Sequence, residues 1–253
     1  MGAITTLASL KLLKIGIACP FFYRKVDDSK QMPLVFFHGL GIGLVTYIPF
    51  ILSLIINQPL RPILLFEMPS ISMIWEDNHI LPKEYATHVS ECLKGLKIVK
   101  CILAGHSIGT ALVRWMDLYF PEMIHGRIFI DPICFNLWTH HIAFNALYRS
   151  PRSLNEAFIK FVGMSEAGIA TFLHRYFVWF QNTYFTDQLP DNCVIFLAGK
   201  DDIVNAPNVL RYLQNNKARN ETRKIMYNSH FHHGQIMASP QAFEIIKEIN
   251  KMG

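Results

Sequence analysis

The chain alternates between short runs that are apolar at nearly every position and longer stretches with apolar residues at helical spacing. Pro33 to Phe37, Ile63 to Phe66, Cys101 to Ala104, Arg127 to Ile130, Cys193 to Leu197 and Lys224 to Tyr227 read as strands. Between them, Leu44 to Asn57 (despite Pro49), Lys83 to Leu96, Ile108 to Tyr119, Ala206 to Leu213 and Pro240 to Lys251 read as helices. A strand apolar at consecutive positions buries both faces. Strands of that kind, separated by helices, predict an α/β fold: a mostly parallel sheet with helices on both faces.

One stretch breaks this rhythm. About 60 residues separate Asp131 from Cys193, more than one crossover helix needs. The stretch is dense in aromatics, with Phe172, Tyr176 and Trp179 at helical spacing. It predicts a helical cap over 133–191, inserted in a single domain with its core at 33–132 and 192–253. Such a cap would cover the carboxyl edge of the sheet, where open α/β sheets place ligands. The segment 1–32 stands apart. Leu7 to Tyr23 is largely apolar, but Lys11, Lys14 and Pro20 interrupt it. That pattern suits an amphipathic segment or a first edge strand better than a spanning helix or a signal peptide. Gly2 to Thr6 fits the permissive myristoylation pattern, which leaves peripheral membrane association open.

Composition narrows the picture. With 51% hydrophobic and 17% charged residues, the chain is not of the disordered class. The net charge is +5, but no Lys/Arg stripe is interleaved with stacking aromatics, so nucleic acid is not an expected partner. The five cysteines are odd in number and form no C-x-x-C pair. They favour a reducing compartment, hence an intracellular protein, cytoplasmic or membrane-associated. Oligomeric state is left open, and the sequon Asn220-Glu221-Thr222 decides nothing.

Chemistry concentrates at Gly105-His106-Ser107-Ile108-Gly109, which follows an apolar strand. This is the G-x-S-x-G elbow: a strained turn exposes the serine hydroxyl, and side chains two residues to either side would collide with adjacent chain. A serine hydroxyl needs a base, and the base needs an orienting acid. Both follow in chain order. Asp201 and Asp202 come after one strand, and His230, His232 and His233 after the next. Asp131 is a further acid, better read as a polar strand end. The backbone N–H groups of Ile108 and of Leu40, in the turn His38-Gly39-Leu40-Gly41-Ile42-Gly43, are the expected oxyanion donors. His38, Gly39 and His106 are expected to border the substrate. The glycine spacing is not a dinucleotide fingerprint, and the histidines lack a zinc-type carboxylate spacing, so no cofactor and no metal are expected.

Taken together, His38-Gly39, the elbow, Gly199-x-Asp201-x-Ile203-Val204 and His233-Gly234 resemble the α/β-hydrolase fold superfamily from about Pro33 onward. Glu67-x-Pro69-x-Ile71-Ser72-Met73 and Tyr148-Arg149-Ser150-Pro151 resemble a eukaryotic branch of it. The resemblance implies Asp201 as the acid and His233 as the base, with Asp202, His230 and His232 as alternatives. It implies a serine hydrolase of the esterase or lipase kind; the aromatic insertion and the apolar N-terminal segment point to a small-molecule or lipid ester with an apolar acyl group. Amide or thioester hydrolysis, acyl transfer, or a silent apolar-ligand binder on the same fold are the rival expectations.

Overall fold

The computed structural model describes residues 11–14, 20–75, 79–152, 154–216 and 222–253. Eight strands form one sheet: β1 (Lys11–Lys14), β2 (Pro20–Arg24), β3 (Leu34–Phe37), β4 (Ile63–Phe66), β5 (Cys101–His106), β6 (Ile124–Ile130), β7 (Cys193–Ala198) and β8 (Arg223–Asn228). Their order is β1-β2-β4-β3-β5-β6-β7-β8. From β4 to β8 every pairing is parallel, whereas β1 and β2 pair antiparallel at one edge. The edge-strand reading of the N-terminal segment thus fits 11–14. Gly2 to Thr6, and Asn220 and Glu221 of the sequon, lie outside the described residues.

The alternation of side chains along each strand divides the core into two layers. Val35, Phe37, Leu103 and Ile195 pack against α2 (Pro82–Gly95), α3 (Gly109–Tyr119) and α7 (Ala206–Asn215). Leu34, Phe36, Ile102 and Val194 pack against α1 (Ile48–Asn57) and α8 (Ala242–Lys251). The helix expected over Leu44 to Asn57 begins later. A 3-10 turn covers Gly43–Tyr47, and Pro49 sits in the first turn of α1, where its missing N–H costs no hydrogen bond.

Between β6 and β7 the chain forms α4 (His140–Ala143), α5 (Leu154–Phe158) and α6 (Ala167–Thr171), each running on into a wide π-type turn. Its aromatics divide by role. Phe135 and Tyr184 stack on each other, both fully buried, with Phe129 of β6 edge-on to each. Phe144, Tyr148, Phe161 and Phe180 are exposed.

The strand order reverses at β3. Strand β4 lies to one side of it and β5 to the other, so the loops leaving β3 and β5 diverge over a crevice at the carboxyl ends of the strands. Those loops carry His38–Gly43 and Ser107.

Candidate active site

Ser107 follows β5 directly and has φ +53°, in the left-handed region that non-glycine residues seldom occupy. The surroundings hold it there. Its N–H donates to Ile130 O at 2.9 Å, and its carbonyl accepts from the Thr110 N–H and hydroxyl. A Cβ at Gly105 would meet the Gly109 carbonyl oxygen at 2.6 Å, and one at Gly109 would run into the Phe37 carbonyl oxygen. Both glycines are thus required by close approach of backbone.

The turn after β3 is gripped from three sides. Gly39 N–H donates to the Tyr47 hydroxyl at 2.6 Å, and that hydroxyl shares a hydrogen bond with His106 Nδ1 at 2.6 Å. Met68 N–H donates to His38 Nε2 at 3.1 Å, so the ring proton sits on Nδ1, which donates to Gly39 O at 2.6 Å. Burial lowers the His38 pKa to about 4, keeping that tautomer neutral. Gly39 O and Leu40 N–H belong to one peptide unit. Holding the carbonyl therefore aims and polarises the N–H. Gly41 N–H donates to Ile71 O, and Gly43, at φ +57°, packs against the Glu67 carboxylate, so the segment after β4 buttresses the turn.

Two histidine–aspartate pairs stand one residue apart. His233 Nδ1 meets Asp201 Oδ2 at 2.6 Å, with side-chain exposures of 13% and 1%. His232 Nδ1 meets Asp202 Oδ2 at 3.4 Å, with exposures of 57% and 40%. His230 donates its N–H to Asn228 Oδ1. The Asp201 carboxylate accepts the Ile203 and Val204 N–H groups on Oδ1, both at 2.8 Å, leaving Oδ2 for the imidazole. Burial works against the charged form of His233, but Asp201, then Asp131 and Asp202, outweigh it and raise its pKa.

Asp131 is buried at the end of β6 and accepts Ala198 N–H at 2.9 Å and Gly234 N–H at 2.7 Å. It staples the histidine loop to β7, the strand-end role expected of it. His106, Asp131 and His233 bring one ligand-type atom each within 4.8 Å of one another. Both Asp131 oxygens serve backbone N–H groups and His233 Nδ1 serves Asp201, so the three read as an electrostatic cluster rather than a metal site. Burial first, then His233 and His38, hold the His106 pKa well below the ordinary value.

Ser107 borders two cavities. One, of about 450 Å³, is walled by Ile108, Ile133, Leu137, Trp138 and Phe177. The other, of about 650 Å³, reaches Tyr47, His106, His232, His233 and Gln235. Leu40 borders both. Of the residues expected to border the substrate, His106 lines the second cavity, and His38 and Gly39 line neither. His38 is buried and turned toward Gly39 O and Met68 N. Tyr47 is the residue that sequence reasoning missed, since nothing local marks a tyrosine whose partners are Gly39 and His106.

No protein-family model and no curated protein matches the sequence. Solved structures do match its shape. A meta-cleavage product hydrolase from Pseudomonas fluorescens IP01 superposes with a TM-score of 0.70 at 14% identity, over 96% of this chain and 99% of that one. Naproxen esterase from Bacillus subtilis gives 0.63 at 14% identity, over 98% and 94%. A bacterial membrane phospholipase A gives 0.64 at 13% identity, over 99% and 90%. The chain has the α/β-hydrolase fold. Among the described residues, no helix is long and apolar enough to cross a membrane.

Proposed function

We infer that the protein is a serine hydrolase that cleaves a carboxylic ester with an apolar acyl group. The observation that carries this reading is the buried His233–Asp201 pair, set on the same cavity as a Ser107 held at positive φ. With its Nδ1 proton given to Asp201, His233 presents Nε2 as the free acceptor. It takes the Ser107 proton as Oγ attacks the ester carbonyl carbon. The oxyanion accepts hydrogen bonds from the Leu40 and Ile108 N–H groups. On collapse the C–O bond breaks, and the leaving alkoxide takes the proton from His233. Water then repeats the sequence on the acyl-enzyme, giving up its proton to His233 and releasing the acid and free Ser107.

This chemistry assigns the two cavities. The general acid must face the leaving oxygen, and His233 borders only the larger one. The alcohol part therefore lies there, and the acyl chain enters the smaller, apolar cavity. That cavity, of about 450 Å³, is roomy and walled by apolar side chains, as an acyl chain requires. In this reading the β6–β7 segment is a cap, and its Leu137, Trp138 and Phe177 select the acyl group.

A fluorophosphonate probe tests the assignment. The wild type should be labelled and Ser107→Ala should not. Turnover of nitrophenyl esters should rise with acyl length up to a medium chain. An unlabelled wild type would sink the reading, and so would labelling that persists in Ser107→Ala.

A further inference from the structure

The acid is held by a part of the chain that carries none of the triad. Two peptide units support the Asp201 carboxylate. The first joins Asp202 to Ile203: its N–H donates to Asp201 Oδ1, and its carbonyl accepts from Arg149 Nη2 at 3.1 Å. The second joins Ile203 to Val204: its N–H donates to the same Oδ1, and its carbonyl accepts from Asn145 Nδ2 at 3.2 Å. Both peptide units that hold the acid are thus gripped at their far ends by side chains of the β6–β7 segment. Asn145 and Arg149 stand four residues apart at the wide turn Phe144–Tyr148 and its end, a spacing that brings side chains to one face of a helix. Arg149 is itself braced. It pairs with Glu156 at 3.3 Å, and its carbonyl accepts from Lys160 Nζ at 2.6 Å.

We propose that Asn145 and Arg149 are positioning residues for the catalytic acid, so that the Asp201–His233 pair is fully assembled only while the β6–β7 segment is seated on the loop after β7. This rests on the assignment of Asp201 and His233 made above. A carbonyl that accepts a hydrogen bond makes its own N–H a stronger donor, and fixing the carbonyl fixes the peptide plane. Removing either side chain frees one of the two donors that hold Oδ1, and Asp201 can then turn from His233. Any lifting of the segment to admit substrate would have the same effect, which ties assembly of the acid to closure over bound substrate.

The charged and titratable groups that face His233 are Asp201 and Asp202 on the loop after β7, Asp131 at the end of β6, His106 at the end of β5, and its neighbour His232. Arg149, Glu156 and Lys160 line the small crevice beyond, together with Asp202, His232 and His233. Asp201 is the largest of the influences that raise the His233 pKa, so loosening Asp201 must lower it. Removing a cation from that crevice would by itself act the other way.

The test uses Asn145→Leu and Arg149→Met, which keep most of the packing, their combination, and Arg149→Lys, which keeps the charge and a donor. The imidazole of His233 is titrated by NMR, without turnover, alongside the pH profile of kcat/KM. Expected is a midpoint that falls toward 6.5 in each single variant and further in the double, with Arg149→Lys closer to wild type. The loss in kcat/KM should be roughly tenfold for each, the scale of a catalytic group slightly misplaced. An unmoved His233 midpoint in folded variants overturns the proposal, and so does a loss equal at every pH. Fluorophosphonate labelling of the wild type reports separately on the triad, so failure of that reading is told apart from failure of this one.

Discussion

His233–Asp201 and His232–Asp202 have the same chemistry, come from the same two loops and differ by one position in each. The first pair lies at 2.6 Å with the carboxylate almost fully covered, and the second at 3.4 Å with both side chains in solvent. The difference shows how burial sets one of two like pairs apart. Asp201 has two backbone N–H donors on one oxygen and the imidazole on the other, in a place where water cannot screen them. The outer pair shares its charge with solvent, where an ion pair contributes about 0–1 kcal/mol.

Several substitutions would break or sharpen this contrast. Ser107→Ala removes the group that the inner pair serves, and should lower kcat/KM for an ester by at least about 10⁴-fold while leaving the thermal midpoint near wild type. Asp201→Asn or His233→Ala should cost roughly 10³–10⁴-fold. If His232→Ala or Asp202→Asn cost as much, the inner pair would not be the working one. Those two should change kcat/KM by less than about threefold, since exposed pairs contribute little.

The pH dependence separates the pairs next. His233 must be neutral to act as base, and its pKa lies above the ordinary 6.5, because Asp201, Asp131 and Asp202 outweigh burial. Activity should therefore rise with pH to a midpoint above 6.5, and Asp201→Asn should move that midpoint down. Stability runs the other way. A histidine with its pKa raised by folding contributes fully below the unfolded value and loses that contribution as pH rises through the folded one. The thermal midpoint should accordingly fall on the alkaline side in wild type, and less so in Asp201→Asn. The last expected effect concerns substrate choice alone. Ala143→Trp, at the exposed rim of the apolar cavity, should lower kcat/KM for a medium-chain ester by about tenfold and spare the acetyl ester, the scale of about one methylene.

Much of this arrangement was legible in the chain because it is local. Ile63 to Phe66 reads as a strand and is one, since each apolar residue reports its own burial. Gly105 and Gly109 flank Ser107 because backbone passes within contact of both, a constraint that five consecutive residues express. The two loops carrying aspartates and histidines were visible as strand ends for the same reason. The choice between neighbours was not. Nothing in Asp201-Asp202 or His232-His233 says which side chain turns inward, because that depends on packing between segments 32 residues apart.

The sequence by itself therefore determined the layered α/β architecture, the elbow and the set of residues from which a triad could be drawn, all of them set by periodicity and short-range sterics. Tertiary structure alone decided which histidine meets which aspartate, that His38 joins Met68 to the turn after β3, that Tyr47 joins that turn to His106, and that Asn145 and Arg149 hold the loop after β7. Most of those contacts join residues far apart in the chain. They are made by hydrogen bonds whose value depends on exclusion of water, a property that no local pattern encodes.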